Sequence, residues 1–143
     1  MKILFVCTGN TCRSPMAQAM ASQIFGEKYQ IISAGLMAMP NASASVNAVA
    51  VMNKLQLSLI NHKAQLVTES LLEEADIILT MTENHKEALM QAAPGKVYTL
   101  GEYADGNTSI GDPFGGDLNV YQNCANEIYE LLLKIKDKIT SEG

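Results

Sequence analysis

A chain of 143 residues, 48% of them apolar, can bury one core without disulfide or metal staples and reads as a single domain over 1–143. Its net charge of −5, carried with scattered basic residues and no Lys/Arg stripe, argues against nucleic acid as a partner. The apolar run at the N-terminus is too short for a signal peptide or a membrane span, and three cysteines without a CxxC pair fit reduced thiols, so a cytoplasmic protein with no membrane partner, no metal and no cofactor is expected.

Lys2–Val6 is a continuous apolar run and reads as a buried parallel strand. Ser14 and Pro15 look like the N-cap and first position of a helix, with Met16, Ala19, Met20, Gln23 and Ile24 on one face and Gly26 at its end. Tyr29–Ser33 is a second strand closed by Ala34-Gly35, and a helix follows from Ser45 to Leu55. A short helix over Glu69–Glu74 precedes a strand over Asp76–Met81, then a helix over Glu83–Gln91 and a strand over Lys96–Leu100. Gly101–Gly116 reads as a long polar loop with five glycines, of the kind that usually carries function. The last helix runs from Leu118 to Lys138, with Val120, Tyr121, Cys124, Ile128, Leu131, Leu132 and Ile135 on its apolar face and frayed residues after it. The eight methionines read as core filler. Strands alternating with helices predict an α/β domain with a four-stranded parallel sheet covered on both faces. In such sheets ligands bind beyond the carboxyl ends of the strands, where the loops after the first and fourth strands emerge.

Cys7-Thr8-Gly9-Asn10-Thr11-Cys12-Arg13-Ser14-Pro15 places a thiol at a strand end, then small and polar residues, a guanidinium and a helix start. A loop of this length can turn its amides to one centre and make an anion nest, to which the helix tip adds its partial positive charge. Gly9 is expected to supply the unusual φ or the close approach that so tight a loop needs. Arg13 is the only arginine among ten basic residues, and its planar fork suits phosphate as lysine does not. The same field should ionise Cys7 well below its free value, with Thr8 and Ser14 placed to donate hydrogen bonds. The bland alternative is a buried cysteine before an ordinary βα turn.

A nucleophile beneath a phosphoryl group also needs a proton donor for the leaving group. Asp112, held extended by Pro113 and walled by Phe114, is the candidate, against the alternative of a surface Asx-Pro turn. Phe114 is expected to raise the carboxyl's affinity for its proton. His62 and His85 have neither metal spacing nor a triad pattern, and His85 reads as part of a helix start.

Taken together, Val6–Pro15, Ser33-Ala34-Gly35, Asp76–Met81 with His85, and Asp112-Pro113-Phe114 resemble the low-molecular-weight protein tyrosine phosphatase family over nearly the whole chain. The resemblance implies a cysteinyl-phosphate intermediate, with Cys7 as nucleophile, Arg13 as phosphate clamp and Asp112 as acid and then base. Thr8, Gly9, Asn10, Thr11, Cys12 and Ser14 would form or support the phosphate loop, with Met37 and Phe114 at the cleft walls. Thr11 and the run Asp-Pro-Phe-Gly-Gly are similar to the bacterial protein arginine phosphatase subgroup, which makes phosphoarginine proteins the expected substrate and phosphotyrosine the alternative. A hydroxyl at Thr11 leaves room near a P–N bond where a branched aliphatic side chain would crowd it. An arsenate reductase of the same fold would need further cysteines after the third strand; Thr80–Gln91 contains none, and Cys124 lies on the apolar face of the last helix. A non-catalytic phosphate-binding module is disfavoured by the intact Cys, Arg and Asp set. Cys12 is open to two readings: a redox partner that protects Cys7 by a reversible disulfide, or a small residue that shapes the loop. A monomer is expected.

Overall fold

The computed structural model describes residues 1–106 and 109–142. Four parallel strands form one sheet: β1 (Lys2–Cys7), β2 (Gln30–Gly35), β3 (Ile77–Thr80) and β4 (Val97–Thr99), in the order β2-β1-β3-β4. The chain leaves β1 to one side to form β2 and crosses to the other side to form β3. The carboxyl end of β1 is therefore a topological switch point, where the flanking crossovers diverge and leave a crevice. Cys7 is the last residue of that strand, in register with Gly35.

Alternation along the strands divides the core in two. Ile3, Phe5, Ile77 and Leu79 face one cluster with α1 (Arg13–Phe25), α2 (Val46–Lys54) and α6 (Leu118–Glu142). Leu4, Val6 and Ile78 face the other, with α3 (Glu69–Glu74) and α4 (Glu83–Leu89). A period of two with both faces buried is what a continuous apolar strand sequence requires of a doubly covered sheet. Among the described residues no helix is long and apolar enough to cross a membrane.

Several local expectations are corrected. Ala34 and Gly35 belong to β2 rather than closing it, because Gly35 still pairs with Cys7. The cap of α1 is Cys12, so Ser14 lies inside the first turn, with its side chain turned to the neighbouring strand end. The supposed loop after β4 begins with a helix, α5 (Leu100–Tyr103), started by a capping box in which Thr99 and Glu102 bond each other's backbone. On α1 Gln23 is exposed, and on α6 Val120 is 44% exposed; both miss the buried stripe. The last helix continues to Glu142 instead of fraying after Lys138. Met16, Met20, Met52 and Met81 are core, but Met37 and Met39 stand 78% and 75% exposed on the segment after β2, so the methionines are not uniformly filler.

Candidate active site

The loop between β1 and α1 is held from outside by its carbonyls. Cys7 O and Thr8 O accept from the amides of Leu36 and Met37, Thr11 O accepts from Ser45 N, and Asn10 O lies 2.7 Å from His62 Nε2. No backbone amide from Thr8 to Cys12 has a hydrogen-bond partner among the described residues. With four of its carbonyls claimed by the scaffold and its amide donors left over, the loop is set up to receive an anion.

The tight turn is made by Asn10, not Gly9. Asn10 has φ of 56°, a left-handed conformation that asparagine tolerates better than most residues, whereas Gly9 is not among the residues with positive φ. A Cβ on Gly9 would meet only Thr11 Oγ1 at 3.6 Å, so the chain does not depend on glycine there for close approach. Fully buried, Asn10 fixes its own conformation: Nδ2 donates to Ser14 Oγ at 2.8 Å and Ser33 Oγ at 3.0 Å, and Oδ1 accepts from Gln65 N at 3.0 Å. Because Ser14 Oγ accepts from Asn10, its own hydrogen is free for Cys7 Sγ, 2.9 Å away. The sulfur thereby takes the acceptor role.

Cys7 lies at the base of a cavity of about 250 Å³ lined by Thr8, Gly9, Thr11, Cys12, Arg13, Asp112 and Phe114. Arg13 is 4% exposed; its Nη1 donates to Ile110 O at 2.8 Å and its Nη2 to Thr8 Oγ1 at 3.3 Å. Its Nε is the buried side-chain polar atom without a partner among the described residues. Asp112 is half-exposed and makes two contacts. Oδ1 accepts from Phe114 N at 3.1 Å, the Asx turn that its sequence suggests, and Oδ2 stands 3.7 Å from Arg13 Nη2. The carboxylate that makes this turn is thus the same one that lines the Cys7 cavity. Ile110 anchors the Asp112 loop by donating to Met81 O at 2.9 Å, and Asn47 Nδ2 reaches Gly116 O at 3.2 Å at its other end.

Of the residues expected at the site, Asn10 and Ser14 sit behind the cavity as its support. Met37 does not line it: it belongs to a neighbouring cavity of about 460 Å³ that shares Thr8, Arg13 and Asp112 and adds Leu36, His85 and Ile110. Phe114 lines the Cys7 cavity but is 78% exposed, so it forms a rim rather than an apolar enclosure for the carboxyl. Cys12 is buried against Tyr121 Oη at 3.3 Å and Ser45 Oγ at 3.5 Å, joining the loop to α6 and α2. Burial, with the Cys12 contact second, pushes the Tyr121 phenol up to about 12, so it remains a neutral hydroxyl. Burial likewise pushes the Cys124 thiol up to about 12, which keeps it protonated on the inner face of α6.

Two histidines that the sequence presents only as local features both reach the loop. His62 bonds Asn10 O from 52 residues away, and His85 Nε2 lies 2.9 Å from Thr8 Oγ1. No spacing signal announces either contact, since both are made across the fold. Burial, and then the Arg13 charge, lowers the pKa of His85 from 6.5 to about 4, so its imidazole is neutral near pH 7.

Residues 2–143 match the family model described as low molecular weight phosphotyrosine protein phosphatase. The chain is 39% identical to a protein-arginine-phosphatase of Bacillus subtilis, with 99% of each chain covered. It is also 39% identical to the low molecular weight protein-tyrosine-phosphatase PtpB of Staphylococcus epidermidis, over 96% of this chain and 99% of that one. Among solved structures it is similar to the YwlE arginine phosphatase with a phosphorylated active-site serine, at 38% identity and a TM-score of 0.93, covering 98% of this chain and 96% of that one.

Proposed function

The chain belongs to the low molecular weight phosphotyrosine protein phosphatase family, and on that premise we propose that it removes phosphoryl groups from phosphoarginine side chains of proteins. The observation that carries this reading is the set of unclaimed donors around Cys7: the amides of Thr8–Cys12 and the buried Arg13 Nε. A tetrahedral oxyanion satisfies such a set, and no neutral ligand does so as well.

Cys7 sulfur attacks phosphorus in line, forming the S–P bond as the P–N bond breaks, and Asp112 gives its proton to the departing guanidine nitrogen. Asp112, now a carboxylate, takes a proton from water as its oxygen attacks the cysteinyl-phosphate, releasing phosphate and the sulfur anion. The loop amides and Arg13 stabilise the charge on the equatorial oxygens in both steps. Thr11 at the cavity wall, and an Asp112 carboxylate already beside one guanidinium, support an arginine-derived leaving group. Phe114 on the rim supports phosphotyrosine as the second reading, because an exposed ring can stack on a phenol. Three unpaired cysteines suit the reducing cytoplasm.

The test is a side-by-side rate measurement on phosphoarginine and phosphotyrosine peptides with the natural chain and Thr11→Ile. The natural chain should prefer phosphoarginine, and Thr11→Ile should lose that preference. A natural chain that favours phosphotyrosine overturns the substrate, and one that hydrolyses neither overturns the activity.

A further inference from the structure

Thr8 lines both cavities, and its hydroxyl oxygen is claimed twice. Arg13 Nη2 donates to it at 3.3 Å. The second partner is His85, whose tautomer follows from its other nitrogen. Nδ1 accepts the Thr82 N–H at 3.3 Å as part of the capping box that starts α4. A ring nitrogen that accepts carries no hydrogen, so in the neutral imidazole the proton is on Nε2, which donates to Thr8 Oγ1 at 2.9 Å. Both acceptor positions of the hydroxyl are then filled, and its own hydrogen has no acceptor among the described residues.

We propose that His85 is a positioning residue for the reaction, holding Thr8 as a hydroxyl that only donates, into the Cys7 cavity toward a phosphoryl oxygen. The same contact braces the oxygen on which Arg13 Nη2 rests, so a single imidazole orders two of the groups that meet the substrate. This rests on the phosphatase reading above. A bare capping role for His85 is the competing account, and the two differ in what reaches Thr8.

Three substitutions separate them. His85→Gln can keep the capping box through its amide oxygen and still present an N–H to Thr8. His85→Glu keeps the box but accepts from Thr8, turning the hydroxyl away from the cavity. Thr8→Val removes the hydroxyl at similar shape. The readouts are vanadate inhibition and kcat and KM on a generic aryl phosphate, for His85→Gln and His85→Glu, each made alone and combined with Thr8→Val. With Thr8 present, His85→Glu should weaken vanadate binding relative to His85→Gln by about 5- to 10-fold more than it does in the Thr8→Val background, the scale of one lost hydrogen bond. An equal Gln-to-Glu ratio in the two backgrounds means that only charge or folding was felt, and overturns the proposal. If the His85→Glu variant does not fold, His85→Leu takes its place in the same comparison. Failure of the phosphatase reading looks different: the natural chain itself then shows no hydrolysis dependent on Cys7.

Discussion

Gly35 and Thr8 are in contact so close that no side chain fits between them: a Cβ on Gly35 would stand 2.5 Å from Thr8 O, 2.9 Å from Asn10 N and 3.1 Å from Ala38 Cβ. Two of those neighbours are backbone of the nucleophile loop, which cannot swing aside as a flexible side chain can. Gly35→Ala should therefore displace the loop rather than merely crowd it, at about 1–3 kcal/mol of stability. Phosphate affinity should fall by more than the stability loss suggests, since the loop amides move together. Thermal melts with and without phosphate check this; a variant that keeps its phosphate-induced rise in melting temperature refutes it.

Ser14 Oγ is bonded from behind by Asn10 and faces Cys7 Sγ. Ser14→Ala removes the donor to the sulfur and leaves Asn10 Nδ2 with only Ser33. We expect kcat/KM to fall by about 10-fold, the scale of a lost hydrogen bond to a charged atom, with a smaller loss of stability. Cys7→Ser should abolish turnover while phosphate still binds, because the amides and Arg13 are untouched. Calorimetric titration with phosphate, beside steady-state rates, distinguishes the two variants.

The parallel sheet, its two covered faces and the placing of two loops at one sheet edge follow from features that a sequence carries openly: apolar runs, glycine and proline punctuation, and helical spacing. Cys7 and Arg13 stand out because they bracket the turn from a strand to a helix, and Asp112 because a proline follows it in a glycine-rich loop. What stays hidden depends on contacts across the fold. Asn10 takes the left-handed turn although Gly9 beside it is the residue that local rules select, because Ser14, Ser33 and Gln65 reward the asparagine side chain in that conformation. Ser14 looks like a cap because Ser-Pro is a good helix start, but the helix begins earlier and its hydroxyl is used by Cys7. The capping box of α5 is obscured because Thr99 is also the last residue of β4, so one residue carries two signals.

Asp112 keeps one oxygen for Phe114 N and the other near Arg13. Asp112→Asn can keep the turn, since an amide oxygen still accepts, but it has no proton to give and cannot serve as base. The chemical step should slow by about 10²- to 10³-fold, with KM little changed. The loss should be smaller on substrates whose leaving group needs no proton, such as a nitrophenyl phosphate. Rates on a series of aryl phosphates check this, and an equal loss across the series would remove Asp112 from the role of acid.

His85 gives the fold a pH dependence whose sign can be worked out. Its folded pKa is lowered to about 4 from the unfolded 6.5, chiefly by burial and then by Arg13, with Asp112 opposing. Between those values the unfolded chain binds a proton that the native chain refuses, so unfolding is favoured as pH falls. The stability attached to this group is complete above 6.5 and drains away down to about 4, below which it changes no further. At 1.36 kcal/mol for each pH unit, a window from 6.5 down to about 4 corresponds to a loss of about 3 kcal/mol. His85→Gln, which cannot titrate, should lose less stability than the natural chain over the same window, whatever the carboxylates contribute to both. Urea unfolding at about pH 7 and about pH 4.5 measures the difference. Parallel losses in the two proteins would mean that the native imidazole takes up its proton as readily as the unfolded one, and that Thr82 N–H does not hold its Nδ1 lone pair.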